Sequence, residues 1–122
     1  MADANDVLRI ALMFPGTTGE KAANFEVGGK GFAWFWQEKV PGVKGRVERR
    51  DVLVVRTANE EDKQMLVASD SEKFFTIPHY NGYPAVPVRL AEIDTAELTE
   101  LLEDAWRTRA PKKILKEWDA AG

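Results

Sequence analysis

Between positions 30 and 50 the chain carries Lys30, Lys39, Lys44, Arg46, Arg49 and Arg50 against only Glu38 and Glu48. A local cationic excess of this kind attracts phosphate. Lys39, Lys44, Arg46, Arg49 and Arg50 are therefore candidate contacts to a nucleic-acid backbone. If they engage about four phosphates, log affinity falls against log salt with a slope near −3.6. A second basic segment, 106–117, sets Arg107, Arg109, Lys112, Lys113 and Lys116 against Glu117. Cations there also suit the C-terminal end of a helix. The loop Pro78-His79-Tyr80-Asn81-Gly82-Tyr83-Pro84 offers a second chemistry. Tyr80 or Tyr83 can stack on a base, and His79 and Asn81 can hydrogen-bond to it. The same residues equally fit a rigid Asn-Gly turn whose tyrosines pack onto a sheet. Phe32-Ala33-Trp34-Phe35-Trp36 is bulky on both faces of a strand. It is either doubly covered or a platform for a small ligand or protein partner.

Other chemistries are removed by what the chain lacks. It has no cysteine and one histidine, His79. Thiolate nucleophiles, disulfides, iron–sulfur clusters and multi-histidine metal sites are thereby excluded. There is no G-x-S-x-G elbow, no G-x-x-x-x-G-K phosphate loop and no dinucleotide fingerprint. Gly28-Gly29-Lys30-Gly31 is glycine-rich but joins two strands, with no helix N-terminus behind it. A non-enzymatic protein without cofactor or metal is expected. The net charge of −3 excludes a uniformly basic nucleic-acid coat, and the acidic excess gathers at 59–72 and 92–104. The N-terminus lacks a basic stretch followed by an apolar run, and no segment approaches the ~20 apolar residues that cross a bilayer. A cytoplasmic protein with no membrane partner is expected; the sequence leaves open whether it binds another protein or itself.

The elements that must position these residues follow from periodicity. The 122 residues suit one domain, 1–122. Residues 3–14 have helical spacing (Val7, Leu8, Ala11, Leu12), with Asp3 or Asn5 as cap and Pro15-Gly16 as terminator. Residues 17–22 read as loop. Alternation in Asn24–Val27 and Phe32–Trp36 about Gly28-Gly29 predicts a hairpin. Residues 37–49 read as a long connection, and Asp51–Arg56 as a central strand. A helix over 59–69 is capped by Asn59, with Met65 and Leu66 facing inward. Phe74–Pro87 reads as loop, and Val86, Val88 and Leu90 alternate as a fourth strand. Asp94 or Thr95 opens a helix with Leu98, Leu101, Leu102, Ala105 and Trp106 on one stripe. Pro111 opens a short last helix carrying Ile114, Leu115 and Trp118. This order predicts an α+β domain, an antiparallel sheet with helices on one face.

Five segments together resemble the MmcQ/YjbR-like family of small bacterial proteins. They are FPG at Phe14–Gly16, F-x-V-G-G-K-x-F-A-W at Phe25–Trp34, F-F-T-x-P-H-Y-N-G-Y-P-A-V at Phe74–Val86, V-R-L at Val88–Leu90 and D-A-W-R-T-R-A-P-K-K at Asp104–Lys113. They span roughly residues 8–118. The resemblance implies a frataxin-like (CyaY-like) fold and DNA as partner, bound by a double-wing arrangement of sheet and loops. By analogy with frataxin-like acidic ridges, Glu100, Glu103 and Asp104 can meet a divalent cation. Their place opposite Leu98, Leu101 and Leu102 fits a solvated surface instead.

Overall fold

A computed structural model describes residues 1–19 and 24–121. Helix α1 (Ala4–Ala11) starts at Asp3, whose carboxylate accepts from the Asp6 N–H while the Asp6 carboxylate accepts from the Asp3 N–H. This reciprocal cap satisfies donors that a helix start leaves open. The helix stops at Ala11 rather than continuing to residue 14, and Phe14 turns into the core. Part of the loop expected over 17–22 is a two-residue strand, β1 (Thr17–Thr18); residues 20–23 lie outside the described residues.

The sheet continues with β2 (Asn24–Val27), β3 (Lys30–Glu38), β4 (Val47–Arg56) and β5 (Ala85–Arg89), all antiparallel in the order β1-β2-β3-β4-β5. Gly28 and Gly29 both take positive φ (60° and 78°) between the paired residues Val27 and Lys30. This is the twist-matched two-residue turn that the Gly-Gly pair predicts. β3 and β4 are longer than expected, because residues 36–38 and 47–49 pair across the sheet, beyond an irregularity at Phe35/Trp36, instead of forming a free connection. Pro87 sits in β5, an edge strand, where its missing N–H breaks no ladder within the sheet's interior. The segment 73–75 runs alongside that edge, with Phe75 N–H donating to Pro87 O and Arg89 N–H to Lys73 O.

Helix α2 (Glu60–Ser69) is capped by Asn59, α3 (Thr95–Arg109) by Asp94, and α4 (Lys112–Ala121) follows Pro111. The main core joins Val7, Ile10 and Phe14 to Phe25, Phe32, Phe35, Leu53 and Val55 of the sheet and to Leu98, Leu102 and Trp106 of α3. Trp106 stacks on Phe14 (5.5 Å between centroids) and meets Trp118 edge-on, and its indole N–H donates to Pro15 O at 3.1 Å. The Phe-Pro-Gly corner is thus locked to α3. A smaller cluster on the opposite face of the sheet gathers Val54, Tyr80 and Ala85 against Trp34, Trp36 and Ile77. The chain is an α+β domain as expected. Among the described residues, no helix is long and apolar enough to cross a membrane.

Candidate nucleic-acid interface

β3 and β4 extend as a two-stranded wing, pairing Trp36 with Arg49, Gln37 with Glu48 and Glu38 with Val47. Its tip is closed by Val40-Pro41-Gly42-Val43, with Val43 N–H donating to Val40 O (3.2 Å) and Gly42 at φ 82°. Proline second and a positive-φ glycine third are the requirements of a type II turn. Lys39, Lys44 and Arg46 lie exposed on this tip. Arg46 donates to Gln37 O (3.1 Å). None of the three has an ion-pair partner among the described residues.

Arg49 and Arg50 differ from the other three. They belong to β4, not to a loop, and both are paired. Arg49 Nη1 meets Glu38 Oε1 at 2.6 Å and its Nε meets Asp51 Oδ1 at 3.4 Å; Arg50 Nη1 meets Glu48 Oε2 at 2.9 Å. The hydrogen bond that Arg49 donates to Glu38, then that to Asp51, raises the Arg49 pKa above its usual value. Both carboxylates of the 30–50 segment are therefore spent on strand arginines. The cationic excess concentrates at the tip.

The 78–84 loop is largely structural. A single 3₁₀ turn (Pro78–Tyr80) leads into Asn81-Gly82, where Tyr83 N–H donates to Tyr80 O (3.0 Å) and Gly82 has φ 75°. Tyr80 is only 9% exposed. Its hydroxyl accepts from Trp34 Nε1–H at 3.0 Å, and the His79 ring stands edge-on to it at 5.0 Å. The base-stacking role expected of Tyr80 is thus not open, because its ring covers Trp34 instead of facing solvent. His79 and Asn81 are exposed beside it.

The loop is held from below by a residue that sequence reasoning missed. Lys63 is fully buried, and its ammonium donates to the carbonyls of Tyr80 and Tyr83, the latter at 3.0 Å. Burial pushes its pKa down, partly offset by Glu60. Met65, expected to face inward, is 65% exposed. The inward face of α2 is instead Lys63, Leu66 and Val67, spaced i, i+3, i+4. That spacing was the available signal, masked by the charge of lysine.

The second basic segment is likewise divided. Arg107 is held by Asp119 (2.7 Å) and Glu103 (3.1 Å), which raise its pKa. Glu103 is thereby committed to an ion pair. Asp104, exposed at its tip, has its pKa raised by partial desolvation against its neighbours and then by the charge of Glu103. Lys112 and Lys113 open α4, exposed. Lys30, Arg56 and Arg109 line a cleft of about 640 Å³ with Trp34 and Tyr83.

The YjbR family pattern matches residues 12–108, from just after α1 into the last turn of α3. The chain belongs to the YjbR family. The match takes in the wing, the 78–84 loop and the cleft's strand residues, and stops short of Arg109 and α4. This YjbR-family chain is also 36% identical, over 95% of its own length and 95% of theirs, to uncharacterized proteins of Mycobacterium bovis and Mycobacterium tuberculosis. No solved structure matches it.

Proposed function

We propose that this YjbR-family protein is a non-enzymatic DNA-binding protein that grips the phosphate backbone with the tip of the β3–β4 wing. The observation that carries the reading is the set Lys39, Lys44 and Arg46: three exposed cations on a projecting turn, without carboxylate partners among the described residues. A narrow cationic projection on an acidic molecule concentrates attraction at one place and disfavours indiscriminate coating. His79 and Asn81, exposed on the neighbouring loop, supply hydrogen bonds to sugar or base edges. Arg49 and Arg50 act through the wing's rigidity, since their guanidinium groups are already engaged.

Three phosphate contacts give a salt slope of about −2.7, shallower than five free cations would. Fluorescence anisotropy with a labelled duplex across a salt series measures it. The combined variant Lys39→Gln, Lys44→Gln, Arg46→Gln is expected to flatten the slope and abolish binding at low salt. Undiminished binding by that variant overturns the reading. The alternative, a small-ligand or protein-interaction module working through the aromatic sheet face, has less support as the main role, because Tyr80 packs on Trp34 and leaves Trp34 and Trp36 only half-exposed.

A further inference from the structure

Three cations converge at the end of the sheet opposite the wing. Lys30 opens β3, Arg56 closes β4 and Arg109 closes α3. Lys30 and the wing's Glu38 are separated by the length of β3, about 26 Å at ~3.3 Å per residue. Together the three cations line the 640 Å³ cleft, and no carboxylate is among its described lining residues. None of the three has an ion-pair partner among the described residues. Like charges gathered without a counter-charge repel one another, and a multiply charged anion relieves that repulsion.

Two buried polar atoms on residues that line the cleft lack partners among the described residues. Arg109 Nε is a donor without an acceptor, and Asn24 Oδ1 is an acceptor without a donor. Buried orphans of this kind are rare in folded proteins and ask for an explanation. Asn24 Nδ2 is satisfied by Glu26 (3.0 Å), which fixes the amide's orientation and leaves Oδ1 open. A Cβ at position 31 would stand 2.9 Å from Oδ1, so Gly31 permits this close seat. Arg56 is preset: it donates to Tyr83 Oη at 2.7 Å and stands 5.1 Å from that ring's centroid. Trp34 spends its N–H on Tyr80, so it offers the cleft only ring carbon.

We infer that this cleft binds a small phosphate monoester with a flat, hydroxyl-bearing body, of the nucleoside monophosphate class. The phosphate sits among Lys30, Arg56 and Arg109, where Arg109 Nε gains its acceptor. A ligand hydroxyl donates to Asn24 Oδ1, and the flat ring lies against Trp34 and Tyr83. The site's cations lie away from the wing tip, although its lining reaches along β3 to Gln37 at the wing's base, and it stands whether or not the wing binds DNA.

The test is a titration of the full-length protein, followed by ¹H–¹⁵N NMR, with adenosine 5′-monophosphate, adenosine and inorganic phosphate in turn. The monophosphate is expected to move the Arg109 Nε–H, Gly31 amide and Trp34 indole signals at ~5 mM or below, the range of a weak but specific site. Adenosine lacks the charge and is expected to move none of them; phosphate lacks the ring and is expected to move the first two only. Arg109→Gln is expected to weaken monophosphate binding about tenfold or more. Lys30→Gln, at an exposed position, is the second variant should Arg109→Gln fail to fold, and is expected to weaken it in the same direction. The triple wing variant is expected to leave it unchanged. No response to the monophosphate, a response confined to the wing, or binding indifferent to both cleft variants overturns the inference.

Discussion

Lys63 Nζ donates to the backbone carbonyl of Tyr83 at 3.0 Å from a side chain with no exposure to solvent. One ammonium beneath α2 thereby ties down the loop that covers Trp34. Replacing it with an apolar chain of similar length, Lys63→Met, takes the charged donor from both carbonyls and leaves each with its backbone donor alone, Tyr83 N–H on Tyr80 O and Ala85 N–H on Tyr83 O. Each lost hydrogen bond from the charged donor is worth about 1.5–3 kcal/mol, partly offset because a buried charge is also removed. Urea denaturation is expected to show a net loss of about 2 kcal/mol. The Trp34 indole N–H signal is expected to broaden or move as the Tyr80 hydroxyl loses its fixed position. Wild-type stability with an unmoved indole signal would contradict the strut.

The Glu38–Arg49 pair suggests a gain-of-binding variant. Glu38→Gln removes the closest carboxylate from Arg49 and leaves only the 3.4 Å contact to Asp51. Duplex affinity at low salt is expected to rise about threefold, with the salt slope steeper by about 0.9 as one more cation becomes available. Arg49→Gln is expected to change affinity little. Anisotropy titrations of both variants check the pair; a large loss from Arg49→Gln would mean that Arg49 contacts phosphate despite its partners.

The two turn glycines are expected to differ. Alanine at either position is forced into the left-handed region, at about 1–2 kcal/mol. A Cβ on Gly29 meets nothing, whereas one on Gly28 lies 3.1 Å from Pro111 Cγ. Gly28→Ala therefore adds a steric conflict with the α3–α4 joint and is expected to lower Tm further than Gly29→Ala. Thermal unfolding of the two variants side by side decides it, equal losses counting against the Pro111 contact.

Asp104 carries a pH signature. Its folded-state pKa is raised from 3.8, chiefly by partial desolvation of a side chain that is still exposed, and then by Glu103. Between 3.8 and the raised value the folded chain holds more protons than the unfolded one. Stability from this group therefore falls as pH rises through that window, and the penalty persists at neutral pH. Asp104→Asn removes it. Tm is expected to be higher than wild type at pH 7, with the gap closing as pH drops below 3.8. A Tm advantage that is the same at both pH values would assign the effect to packing.

The sequence by itself determined the main helices and strands and their order, but not β1 or the extension of β3 and β4 into the wing. Hydrophobic spacing, caps at Asp3, Asn59 and Asp94, and the Gly28-Gly29 turn are local properties, readable without the fold. It also determined where basic residues cluster along the chain, and the family. It did not determine which cations are free. Arg49 and Lys39 look alike in sequence, yet cross-strand pairing brings Glu38 to Arg49 and leaves Lys39 alone. Nor could it show that Lys63 is buried or that Tyr80 faces Trp34, which lies 46 residues away. The cleft is the clearest case, since Lys30, Arg56 and Arg109 are scattered in the chain and meet only where strand and helix ends converge. Charge, burial and hydrogen bonding depend on neighbours in space, and only the tertiary structure chooses those neighbours.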